Sequence, residues 1–163
     1  MATAKKKSAP SASKTDAIAL LKKDHADVKA LFAEYKKLCE SDADGAAKQA
    51  VAMDICTQLT AHATVEEEIF YPAARAEPTD DLLDEAEVEH ASAKDLIAQI
   101  EAMQPDDDLY DAKVTVLGEY IDHHVKEEEG ELVPKARSLG LDLQALGAQL
   151  QARKEELLAE LAA

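Results

Sequence analysis

The chain says nearly the same thing twice. Asp24-His25-Ala26-Asp27-Val28-Lys29-Ala30-Leu31-Phe32 is echoed by Glu89-His90-Ala91-Ser92-Ala93-Lys94-Asp95-Leu96-Ile97, and His62-x-x-x-Glu66-x5-Pro72 is echoed by His124-x-x-x-Glu128-x5-Pro134. Residues four apart on a helix lie one above the other, so each His-x-x-x-Glu pair presents a nitrogen and an oxygen donor side by side. Two such pairs and two lone histidines supply enough donors for two metal ions.

Whether six residues can meet depends on the turns. Breaker clusters stand at Ser41-Asp42-Ala43-Asp44-Gly45, around Glu77-Pro78-Thr79-Asp80, and at Gln104-Pro105-Asp106-Asp107-Asp108, cutting residues 15 to 138 into four segments. Counted from a first turn centred near residue 43, His25 lies 18 positions before and His62 lies 19 after; from a third near 107, His90 and His124 are each 17 away. Around the central turn near 77, His62 and His90 are 15 and 13 away. Antiparallel helices rising about 1.5 Å per residue would therefore bring all four histidines to one level within a turn.

The segments carry helical periodicity. Ile18, Leu21, His25, Val28 and Phe32 form one stripe; Ile55, Leu59, His62, Glu66, Ile69 and Ala73 form another. Leu83, Ala86, His90, Ala93 and Ile97 follow, then Val114, Leu117, Ile121, His124 and Glu128. The spacing predicts an all-α fold, an antiparallel up-down four-helix bundle, with all six donors on the apolar faces. Carboxylates there need a partner, because a buried unpaired charge costs about 3–5 kcal/mol. Imidazole and carboxylate donors suit iron, manganese or zinc, and the lack of thiolates argues against a closed structural zinc site. The spacing is not the His-Glu-x-x-His of zinc proteases, since Ala63 and Val125 follow His62 and His124.

The order His25, His62-x-x-x-Glu66, His90, His124-x-x-x-Glu128 resembles the hemerythrin-like, or HHE cation-binding, domain over roughly residues 16 to 138. The resemblance implies a four-helix bundle around a non-haem diiron centre, two iron ions joined by an oxo or hydroxo bridge, with manganese or zinc as substitutes. It implies His25, His62, His90 and His124 as terminal ligands and Glu66 and Glu128 as bridging carboxylates. A small-molecule ligand follows: O2, hydrogen peroxide or nitric oxide. Oxygen-carrying hemerythrins have a fifth histidine four residues from the third, where this chain has Ala86 and Lys94. That departure speaks against simple reversible oxygen carriage and leaves room for water, a ligand molecule or a substitute side chain.

Tyr120, four residues before His124, and Glu131, three after Glu128, share the right face and are candidate substitutes. Lys29 and Lys94 stand at matched places four residues after the lone histidines, where each could bond an anion or simply snorkel to solvent. His123 lies about 100° round the helix from His124 and reads as flanking. Glu67, Glu68, Glu127 and Glu129 read as solvated charges. Pro72 and Pro134 are expected to kink or end their helices, closing the metal end of the bundle.

A formal charge of -16 argues against nucleic acid as a partner. Basic residues gather in residues 1 to 14, expected to be a tail outside the fold, with no apolar stretch of a secretory signal and no segment able to span a membrane. A cytoplasmic protein is expected. Cys39 and Cys56 fit that compartment: Cys56 lies nine residues further from the first turn, a helical offset of more than about 10 Å that forbids a disulfide. The bundle is assigned to residues 15 to 139. Beyond it, in residues 140 to 163, Leu143, Leu146, Leu150, Leu157 and Leu161 mark a further helix that must fold back on the bundle or join a second subunit as a homodimer. Three roles are open at this point: a peroxide- or nitric oxide-processing enzyme, a sensor or iron-buffering module without turnover, and a metal-free helical protein.

Overall fold

The structure is a computed structural model that describes residues 16–162. The basic tail lies outside the described residues. Helix α1 (Ala17–Glu40) is followed by α2 (Gly45–Val65), whose chain passes through one π-helical turn (Glu66–Phe70) into the short α3 (Tyr71–Ala74). Next come α4 (Asp80–Ala102) and α5 (Tyr110–Glu127), a second π turn (Glu128–Leu132), the short α6 (Val133–Arg137) and α7 (Leu143–Ala162). The described residues contain no strand.

The turns fall where the breaker clusters stand. Asp16 and Asp44 cap α1 and α2, accepting the backbone N–H of Ala19 and Ala47 at 2.8 Å each. α1 packs on α2 and α4 on α5, while α1 with α5 and α2 with α4 complete the enclosure; α7 lies against α1 and α2. Leu150 and Leu157 of α7 are buried there, so the carboxy-terminal leucine stripe folds back on its own chain.

The apolar core is divided into two. One cluster joins Leu20, Leu21, Val65, Phe70, Leu83 and Leu132 with the α7 leucines; the other joins Val28, Ile55, Leu59, Ile97, Ile100, Val114 and Leu117. Asp24, His25, His62, Glu66, His90, His124 and Glu128 are buried in these helices alongside the two clusters.

Pro72 and Pro134 each follow a π-helical turn and precede the end of their helices by a few residues. Neither ends its helix at once. Immediately before each one, the backbone N–H of Tyr71 reaches the carbonyl of Glu66 and that of Val133 reaches Glu128, an i to i+5 bond that opens the turn. Proline has no N–H and its ring crowds the carbonyl four residues back, so a widened turn accommodates it and the helix continues to Ala74 or Arg137. The extra residue moves the inward face on by one. Phe70 and Ala74 are buried where the stripe anticipated Ile69 and Ala73, and Tyr71 turns inward.

Candidate metal centre

The structure brings together all six residues singled out by the repeat. One donor atom from each of His25, His62, Glu66 and Glu128 lies within 4.8 Å of the others, and so does one from each of Glu66, His90 and His124. Glu66 belongs to both groups. The four imidazoles turn the same nitrogen inward: Nε2 of His25 and His62 are 3.2 Å apart, and Nε2 of His90 and His124 are 3.3 Å apart. Glu66 Oε1 lies 2.6 Å from His62 Nε2 and 3.6 Å from His90 Nε2; Glu128 lies 3.3 Å from His25 and 3.0 Å from His124, one oxygen to each.

Every outward nitrogen faces a carboxylate. His62 Nδ1 meets Asp24 at 3.0 Å, His124 Nδ1 meets Glu89 at 3.2 Å, His25 Nδ1 meets Glu129 at 3.1 Å, and His90 Nδ1 stands 3.9 Å from Glu67. These pairs obey the internal repeat, Asp24 with Glu89 and Glu67 with Glu129. An imidazole that donates through Nδ1 keeps its Nε2 lone pair for a cation, the arrangement by which proteins orient metal-binding histidines. Glu67 and Glu129 are therefore not the plain solvated charges that helical spacing suggested. Lys94 ties down Glu67 at 2.7 Å, whereas Lys29 is exposed.

Tyr71 breaks the repeat, since its counterpart is Val133. Its hydroxyl donates to Glu128 Oε2 at 2.6 Å and lies 3.3 Å from His90 Nε2 and 3.4 Å from His124 Nε2. Of the side chains anticipated as substitutes, Tyr120 is half-exposed and lines a small cavity beside the four histidines, and Glu131 is exposed. Sequence spacing missed Tyr71 because five residues of regular helix would carry it about 140° from Glu66. The signal that could have found it is the repeated proline one residue on, which marks the widened turn.

The donor set fits a cation on the protein's own accounting of polar atoms. Both oxygens of Glu66, Oε1 of Glu128 and Nδ1 of His90 are buried without a hydrogen bond of acceptable geometry, even though His62 Nε2 is close to Glu66. Such atoms are costly unless something else binds them. Without a metal, burial and the Glu128 charge raise the pKa of Glu66. Burial also disfavours charge on Glu128, but the close His124 and His25 imidazoles outweigh it and hold its pKa well below the carboxylate range. Burial likewise opposes charge on His62 and His124; the Glu66 carboxylate with the Asp24 bond raises the first, and the Glu128 bond lifts the second to about 9. His90 is pushed down to about 3 by burial and its charged neighbour His124.

Other expectations resolve plainly. His123 is exposed and pairs with Glu127 at 3.2 Å, a flanking position outside the buried group. Cys39 and Cys56 are free, and burial pushes the Cys56 thiol up to about 12. No helix among the described residues is long and apolar enough to cross a membrane.

The chain is similar to known proteins. A DNA nickase of Nostoc sp. is 30% identical over 119 residues, which make up 73% of this chain and 33% of that protein, so the chain spans about a third of its relative's length. The crystal structure of a hemerythrin HHE cation-binding domain-containing protein from Mycobacterium kansasii superposes with a TM-score of 0.74 at 21% identity, covering 89% of this chain and 88% of that one. The hemerythrin HHE cation-binding domain matches residues 16–136. With that match over most of its length and its histidines and glutamates gathered into cation-binding groups, the chain belongs to the hemerythrin HHE cation-binding domain family.

Proposed function

We propose that this protein is a non-haem diiron protein that binds a small oxygen species, O2, hydrogen peroxide or nitric oxide, with its processing the question that turnover measurements decide. The ligands in this reading are His25, His62, Glu66, His90, His124 and Glu128, held in an up-down antiparallel four-helix bundle with α7 as an added helix. One observation carries it. Glu66, wholly buried and with both oxygens lacking hydrogen bonds, belongs to both donor groups, as a carboxylate shared by two ions must. Iron suits the mixed imidazole and carboxylate donors, with manganese or zinc as weaker alternatives.

When bound, an iron pair supplies the electrons that such ligands accept. The chain's own residues do the rest. A cavity of about 30 Å3 lined by the four histidines and by Val28, Leu59, Ala93, Ile97 and Ile121 offers a small apolar chamber beside the centre. Tyr71 keeps its proton, because burial and the Glu66 and Glu128 charges raise its pKa well above the phenol value. Its hydroxyl thus stays a hydrogen-bond donor to Glu128, within reach of anything lodged between His90 and His124. The formal charge of -16 speaks against nucleic acid as a partner.

A second reading, a sensor or iron buffer without turnover, is favoured by the contact of α7 with the centre. Lys154 of α7 forms an ion pair with Asp24, the carboxylate on His62. Elemental analysis of protein purified without chelator, with visible spectra before and after hydrogen peroxide or O2, tests the proposal. About two irons per chain and an absorption band that changes on addition support it; protein that takes up no iron on reconstitution refutes it. Steady oxygen release from peroxide, lost in His90→Ala, separates the enzyme from the sensor.

A further inference from the structure

A cation bound at the centre must cross the protein surface to reach it, and the two halves of the repeat differ in what they offer. In the first half, Asp24 is 4% exposed and is engaged by Lys154 of α7. The positions that repeat His123 and Glu127 there, 62 residues earlier, are Ala61 and Val65, both buried and neither able to bind a metal. In the second half, the side chains of Glu89, His123 and Glu127 are 25%, 68% and 35% exposed. One donor atom from each lies within 4.8 Å of the other two. His123 and Glu127 are four residues apart on α5, and Glu89 comes from α4.

This cluster does not end at the surface. Glu89 Oε2 is also 3.2 Å from His124 Nδ1. A cavity of about 10 Å3, the size of a single water or bare ion, is lined by Glu89 and Glu127 on its outer side and by His124 and Glu128 on its inner side. Glu128 is 2% exposed and its Oε1 has no hydrogen-bond partner. Oxygen and nitrogen donors thus follow one another from solvent to the buried site, between apolar walls of Leu82, Ala86 and Leu132.

We propose that Glu89, His123 and Glu127 form a surface site for a divalent transition-metal ion, from which Fe2+ passes by way of Glu89 to the buried centre. This rests on the reading of the six buried residues as a metal centre. One imidazole and two carboxylates favour Fe2+, Mn2+ or Zn2+ over Ca2+ or Mg2+. Two acidic groups at a cavity mouth also raise the local cation concentration.

The test is the rate at which Co2+, followed by its visible absorption, enters metal-free protein under anaerobic conditions. In a His123→Ala/Glu127→Gln variant, uptake should slow about tenfold, as expected when a charged mouth is removed. Release to a chelator should slow with it, because both use one route, while final stoichiometry and affinity stay as in the unaltered protein. Protein whose centre already holds iron should bind a further Zn2+ that the variant does not. Uptake at an unchanged rate overturns the proposal while leaving the centre intact, and so does equal slowing by Asp122→Asn, which removes a nearby acid but no donor. If unaltered protein takes up no Co2+ at all, the metal-centre reading itself falls.

Discussion

The carboxylates on the outward histidine nitrogens are the residues with the most to say beyond the donors themselves. Asp24 and Glu89 hold the outward nitrogens of His62 and His124, so each should matter to the buried centre without touching an ion there. Asp24→Asn, which preserves shape, is expected to weaken iron binding by about 10–100-fold in chelator competition. Protons provide a second check. In metal-free protein His124 has a pKa of about 9 and that of His62 is also raised, so both hold protons at neutral pH that a cation must displace. Zn2+ loading at pH 7 should therefore release protons to an indicator dye, and apparent affinity should rise as pH increases toward about 9. The sign for folding is opposite. The raised His124 pKa stabilises metal-free protein fully below the ordinary histidine value and ceases to do so as pH rises through about 9.

Among the elements, α7 carries a specific assignment. Arg153 binds Glu68 at 2.8 Å in the first π turn, and Lys154 binds the buried Asp24. The first contact fastens α7 to the surface; the second also positions the carboxylate that orients His62. Lys154→Met is expected to accelerate release of bound metal to a chelator by about tenfold, since an oriented ligand partner is disturbed. Lys154→Arg should preserve slow release and Arg153→Gln should leave it unchanged. Equal effects of Arg153→Gln and Lys154→Met would mean that docking of α7 alone is responsible. The π turns are the other decisive elements, for they rotate Tyr71 to Glu128 while keeping Glu66 and Glu128 on the inner face.

At the scale of the molecule, a charged layer lies beside two apolar clusters, so the metal-free fold should persist while losing stability. Chelation should lower the Tm without abolishing helical circular dichroism; saturation at about 100 times Kd contributes about 2.7 kcal/mol. Glu66→Leu should abolish iron binding and, in an NMR titration of metal-free protein, lower the pKa of His62, which loses the carboxylate 2.6 Å from its Nε2. Much of this was legible beforehand. Helical periodicity and breaker positions are local properties, so they alone determined that His25, His62, His90 and His124 meet at one level and that Glu66 and Glu128 face inward with them. What joins residues across helices was not legible. The pairings of Asp24 with His62, Glu89 with His124 and Glu129 with His25 depend on axial stagger and rotation between helices, which no spacing within one helix encodes. Tyr71 escaped for a related reason: a single i to i+5 bond before Pro72 shifts the helical phase by one residue, and the regular period assumed that no such shift occurred. The leucine stripe of α7 required burial but did not name its partner; only the packed helices, with Asp24 waiting for Lys154, decided that it lies against α1 and α2.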